Sequence, residues 1–146
     1  MTFTFSLKSA AIAAIIATGF SAPVLAHGNQ VHIQQWGSGN GVGAAQTGNW
    51  NRLSVYQNGW SNTSISAQDG NGNRTVIGQS GFSNFSSTSQ AGNCNIAGVA
   101  QFGSNQSATT SQSGNCNAVG VIQLGNGNSA NTQQYGNGNV SVIIQD

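Results

Sequence analysis

Side chains able to do acid–base or covalent chemistry are scarce in this chain. Asp69 and Asp146 are its only carboxylates, so no acid/base pair of the kind that hydrolyses glycosides can be assembled. His27 and His32 lie close together with no acidic neighbour in sequence, and the abundant serines are therefore left without a triad. Calcium-binding glycine-rich repeats need an Asp in each turn, which these turns lack. Two arginines, Arg52 and Arg74, do not make a nucleic-acid surface. The chain is therefore expected to be no enzyme, to hold no metal or cofactor, and to bind no nucleic acid. Two kinds of group remain. Cys94 and Cys116 stand 22 residues apart, and they form either a disulfide or a pair of stacked thiols. The others are the carboxamides of Asn and Gln, each carrying two donors and an acceptor. Their chemistry is hydrogen bonding.

The carboxamides fall on a grid. Gln35, Gln46, Gln57, Gln68, Gln79, Gln90, Gln101, Gln112, Gln123, Gln134 and Gln145 recur every eleven residues without departure. Two places on stand Gly37, Gly48, Gly59, Gly70, Gly81, Gly92, Gly103, Gly114, Gly125 and Gly136. Five places on stand Asn40, Asn51, Asn62, Asn73, Asn84, Asn95, Asn117, Asn128 and Asn139, with Gln106 the one exception and Asn29 heading the series. A period this strict marks a stacked-repeat architecture.

The elements that must position the grid follow from the residues between. Asn51-Arg52-Leu53-Ser54-Val55-Tyr56-Gln57 alternates with period two, a strand with Asn51, Leu53, Val55 and Gln57 on one face. The four residues from Gln to Asn, with Gly at a fixed place, read as a tight reversal. Eleven short strands result, starting at 29, 40, 51, 62, 73, 84, 95, 106, 117, 128 and 139. Two places before each Gln a longer period appears. Ile33, Val55, Ile77, Val99, Val121 and Ile143 are β-branched aliphatics, and Ala44, Ser66, Thr88, Thr110 and Thr132 in the intervening strands are small. The true repeat is thus 22 residues, and alternate strands share a sheet. The predicted fold is all-β and amyloid-like: a two-sheet β-solenoid, or β-arch stack, of 22-residue coils about 4.8 Å apart, with large residues facing small across the core. One sheet carries Asn29 to Gln35 and every second strand after it, the other Asn40 to Gln46 and its successors. Buried amides cost several kcal/mol if unpaired. Stacking lets each one donate to its copy on the next coil, giving ladders in both sheets. At the ends the ladders and strand edges lack partners and form a template for a second copy, with Asn29, Gln35, Asn139 and Gln145 acting between subunits.

Residues 1–26 read as a secretory signal peptide, with Lys8 as the positive flank, Ala10 to Gly19 as the apolar run and Val24-Leu25-Ala26 as the cleavage site. The repeat domain then spans 27–146, with no membrane span. Export places the thiols in an oxidising compartment. With charged residues at 3%, no ordinary charged surface can be built, and self-association is the expected fate.

The repeat resembles that of the curlins, subunits of the extracellular curli amyloid fibres of bacteria. The second half of the curlin repeat, Gln-x-Gly-x-x-Asn-x-Ala-x-x-x-Gln, is met in full by the segments Gln90 to Gln101 and Gln123 to Gln134, and the likeness covers residues 29 to 145. The resemblance implies a structural subunit of a homopolymeric fibre, secreted to the cell surface through an outer-membrane curli pore, partnered by a nucleator curlin and supporting adhesion and biofilm. Only His27 and Gly28 precede the first strand, where major curlin subunits carry a Gly/Asn-rich leader. The last strand, Asn139 to Gln145, keeps the template, and no basic residue follows Arg74, which favours a fibre-forming over a nucleator subunit. The rival from another class is a monomeric secreted β-solenoid binder of the ice-binding type. It would need a flat outward Thr array, whereas Thr88, Thr110 and Thr132 share the inward phase.

Arg52 and Arg74 face outward one coil apart. They read either as solvated arginines partly neutralised by Asp69, or as a charge gate or small basic site. Exposed Trp36, Trp50 and Phe102 could contribute to adhesion.

Overall fold

The computed structural model describes residues 27–146, and the expected signal peptide over 1–26 lies outside them. The protein is a two-sheet β-solenoid of stacked 22-residue coils. Its strands are β1 (Gln30–Ser38), β2 (Gly41–Asn49), β3 (Arg52–Trp60), β4 (Thr63–Asn71), β5 (Arg74–Phe82), β6 (Phe85–Asn93), β7 (Ile96–Ser104), β8 (Ser107–Asn115), β9 (Ala118–Asn126), β10 (Ser129–Asn137) and β11 (Val140–Gln145). The odd strands form a six-stranded sheet in the order β1-β3-β5-β7-β9-β11, and the even strands a five-stranded sheet, β2-β4-β6-β8-β10. All pairs are parallel, and Gln57, for example, lies over Gln79. Parallel neighbours at a constant 22-residue offset keep like residues over like, which is why the sequence can specify one register with so few residue types.

The core between the sheets is thin and asymmetric. Leu53, Val55, Ile77, Val99 and Val121 line the odd sheet, facing Ser64, Ser66, Ser86, Thr88, Ala108 and Thr110, all buried. Large against small was the expected packing. Ile33 and Ala44 have the same inward phase, but at the end of the stack both are exposed.

The turns depart from expectation. The reversal was placed over four residues, from Gln to Asn. Instead each strand from β1 to β10 runs nine residues, through the Gln-x-Gly segment, and only two residues connect it to the next. The arcs stack as the strands do, so their backbone groups keep bonding to the neighbouring coil: Ser61 N–H donates to the Ser38 carbonyl and Thr63 N–H to that of Asn84. Between those two bonds the Asn62 N–H turns to a side chain, the Asn40 Oδ1, and the bend is carried by backbone angles. Two left-handed residues make it. One is the grid glycine, with φ from 90 to 128° along the series. The other immediately precedes the Asn, and there Trp50, Ser61, Ser83, Cys94, Asn105 and Cys116 all hold φ between 51 and 59°.

Candidate functional site

The Gln carboxamides form two continuous ladders in the core. In the odd sheet Gln35, Gln57, Gln79, Gln101, Gln123 and Gln145 are joined, and in the even sheet Gln46, Gln68, Gln90, Gln112 and Gln134, at 2.6 to 2.9 Å. Each bond runs from the Nε2 of one residue to the Oε1 of the residue 22 places later. The second Nε2 proton crosses the core to a backbone carbonyl at the start of the facing strand, as from Gln57 to Gly41 (3.1 Å), Gln79 to Thr63 (3.0 Å) and Gln101 to Phe85 (2.9 Å). Rotating any amide by half a turn would set its carbonyl against that backbone carbonyl, so the network fixes the direction of both ladders. Thr75 adds a bridge between sheets, accepting from Gln68 (3.2 Å) and donating to Gln90 (2.9 Å).

Asn makes the expected side-chain pairing only at some levels and takes on a second task. Its Oδ1 accepts the backbone N–H of the Asn one coil on, as Asn51 does from Asn73 (3.0 Å), and its Nδ2 donates to the carbonyl of a grid glycine, as Asn51 does to Gly70 (2.8 Å). Side-chain amide pairing accompanies this at some levels, including Asn117 to Asn95 (3.2 Å). The shorter side chain, next to a bend, reaches backbone more readily than its copy on the next coil. The Asn column thus clamps the corner, bonding the glycine that makes it. Asn29, Asn40, Asn62, Asn73, Asn84, Asn95 and Asn117 each bond the glycine carbonyl nineteen residues on. Asn139 bonds back to Asn117 and Tyr135, and Asn128 to the Leu124 carbonyl.

Gln106 fits the ladder only in part. Its Nε2 reaches the Phe102 and Gly125 carbonyls at 3.1 Å. Its Oε1 is buried without a partner, because the extra methylene carries the oxygen past the backbone N–H of Asn128. Ser64, Ser86, Thr110 and Thr132 also bury unpaired hydroxyl oxygens.

A further ladder was not anticipated. Asn49, Asn71, Asn93, Asn115 and Asn137 stack along one exposed edge, with Nδ2 to Oδ1 distances of 3.0 to 3.1 Å. Its signal was their 22-residue recurrence, one column over from the grid and visible only once the repeat is doubled. Cys94 and Cys116 are joined as a disulfide on that edge, with Cα atoms 4.6 Å apart. Asp69 is an outward residue of β4, whereas Arg52 and Arg74 project from the outer face of the other sheet. The expected partial neutralisation is therefore not made, since the carboxylate sits on the opposite side of the solenoid. Thr88, Thr110 and Thr132 are buried and form no outward array.

The solenoid's two ends differ. β1 and β2 each pair on one side only, as do β10 and β11. Among the described residues nothing donates to the Oε1 of Gln35 or Gln46. At the other end, Gln134 and Gln145 each use one Nε2 proton, on the Ala118 and Ser129 carbonyls, and retain the other. One end presents Gln acceptors and the other Gln donors. No helix among the described residues is long and apolar enough to cross a membrane. The chain matches no family model, no curated protein and no solved structure.

Proposed function

We propose that this chain is the structural subunit of an extracellular, curlin-type amyloid fibre that grows by adding strands at its ends. The observation that carries the reading is the complementary pair of ends: unpaired parallel strand edges, with buried Gln ladders stopping at acceptors on one side and donors on the other. Strand addition satisfies the backbone edge and both ladders at once. In this reading the protein is exported, polymerises outside the cell with the help of a nucleator, and supports adhesion and biofilm. Its role is structural and not catalytic.

The test is assembly of purified residues 27–146. Fibres with reflections near 4.7 and 10 Å, accelerated by preformed seeds, are expected. Replacing both Gln134 and Gln145 by Leu keeps each ladder only as far as Gln112 and Gln123, whose Nε2 groups lose their acceptors, and slows seeded elongation by about tenfold or more, in line with unpaired amides being buried at each new junction. A chain that stays monomeric at high concentration in a sedimentation run would overturn the proposal.

A further inference from the structure

The outer face of the six-stranded sheet carries two adjoining hollows near the β1 end. The first is a mostly polar basin of about 630 Å³, bordered by Gln30, His32, Arg52, Ser54, Tyr56 and Arg74. The second, of about 190 Å³, is floored by Gly78, Ser80 and Asn58 and walled by Trp36, Tyr56 and Phe102. Tyr56 lines both, held edge to face against His32 with ring centroids 5.7 Å apart.

Charge and shape both have direct causes. Arg52 and Arg74 are register neighbours on adjacent strands, so two guanidinium groups project side by side from backbones about 4.8 Å apart. Arg52 donates twice to the Oε1 of Gln30 (3.2 and 2.9 Å), a neutral acceptor that leaves its charge in place. With Asp69 on the opposite face, no carboxylate among the described residues offsets the pair. The aromatic hollow arises because the column running Trp36, Asn58, Ser80, Phe102 places two short polar side chains between two rings. Those rings stand three strand spacings apart, about 14 Å. Gly78, beside Tyr56 in the neighbouring column, deepens the floor.

We propose that this face binds an acidic oligosaccharide. A carboxylate of the sugar chain bridges Arg52 and Arg74, where charge-assisted bonds to two guanidinium groups are strongest. A pyranose ring further along enters the hollow, its C–H face against Tyr56 or Trp36 and its hydroxyls on Asn58 and Ser80. Along one strand, from the Arg column to the Trp36 column, the face spans six residues, about 20 Å, the length of roughly four linked sugars. A flat anionic membrane would satisfy the arginines and leave the recess unused. The site's side chains lie on the outer face, away from the strand-edge backbone groups and Gln ladders used in growth, although β1, which supplies Gln30, His32 and Trp36, is itself an edge strand. In a fibre it would recur once per subunit and bind with avidity.

The probe is fluorescently labelled tetragalacturonate, titrated at low salt into residues 27–146, with neutral maltotetraose and phosphatidylglycerol vesicles as comparators. Saturable binding to tetragalacturonate is expected, with at least about tenfold weaker binding to the neutral sugar. Arg52→Gln/Arg74→Gln is expected to weaken tetragalacturonate about tenfold or more. Gly78→Val fills the recess and is expected to weaken the sugar several-fold while leaving vesicle binding unchanged. A Cβ at Gly78 meets nothing within 4 Å, and circular dichroism and fibre yield check that both variants fold. Unchanged sugar affinity in either variant overturns the proposal, and vesicle binding tighter than sugar binding reassigns the arginines to a lipid surface.

Discussion

Gln106 shows how narrow the tolerance of this core is. It replaces an Asn that elsewhere accepts one N–H and donates to two carbonyls, and it retains the donations and loses the acceptance. A buried acceptor without a partner costs about 1–3 kcal/mol. Gln106→Asn restores the Oδ1 to the reach of the Asn128 N–H, and we expect stability to rise by about 1–2 kcal/mol, read as a higher guanidinium midpoint with an unchanged m-value. An unchanged or lower midpoint would mean that the orphaned oxygen carries no cost. The disulfide is a second residue-scale case. Cys94 and Cys116 both sit at left-handed corner positions, which hold their Cα atoms 4.6 Å apart. Closing a 22-residue loop removes unfolded-state entropy worth about 3 kcal/mol. Cys94→Ser/Cys116→Ser should therefore lower the denaturation midpoint, and reductant should lower that of the parent chain alone. Two titratable thiols per chain in the unreduced folded protein would contradict the pairing.

At the scale of strand and arc, two glycines of β5 separate space from conformation. Gly81 has φ 120° and lies so close to the next coil that a Cβ would be driven into the Gly103 carbonyl oxygen, the acceptor of Asn84. Gly78, three residues earlier, has open space around it. Gly81→Ala is expected to lose about 3 kcal/mol or more, combining left-handed strain with a clash that forces two coils apart, whereas Gly78→Ala should be neutral or slightly stabilising. Equal effects at the two sites would mean that the coils are not packed this closely. The strand phase, the two-sheet assignment and the Gln ladders were legible because a 22-residue offset turns identity of residue type into spatial contact. The glycine's second role was not, since φ > 0 alone explains a turn glycine, and contact between coils is not a local property. The left-handed residue at the end of each corner was harder to see: Gly28, Gly39, Gly72, Gly127 and Gly138 hold it, but Trp50, Ser61, Ser83, Cys94, Asn105 and Cys116 hold it too, because the stacked arc imposes the angle. The bonding of Asn to backbone was likewise masked by its sharing the strict grid with Gln, which suggested the same chemistry for both.

For the molecule as a whole, the direction of the ladders and the number of strands together constrain how one copy can meet another. All bonds from Gln to Gln within the ladders point from earlier to later coils, so donor end must meet acceptor end, and two like ends would face N–H to N–H or C=O to C=O. Six strands in one sheet and five in the other leave the two edges staggered by half a coil. Setting an incoming β1 on β11 would keep the sheets aligned but leave β10 and the free Nε2 proton of Gln134 facing a gap one strand wide. Rotating the newcomer by half a turn closes that gap: its β1 lies on β10 and its β2 on β11, so that Gln134 donates to Gln35 and Gln145 to Gln46 of the next copy. The inner columns then change sides at each junction, with Ile33 over Thr132 and Ala44 over Ile143, and large residues still face small across the core. A fibre built this way has a two-fold screw, with a rise of eleven half-coils, about 26 Å, whereas the unrotated stack would repeat at about 29 Å. Helical reconstruction decides between them. Cross-linking gives an independent reading in the Cys94→Ser/Cys116→Ser background. His32→Cys should form intermolecular disulfides with Asn131→Cys and not with Val142→Cys, and the reverse pattern would rule out the half-turn junction while leaving strand addition itself intact.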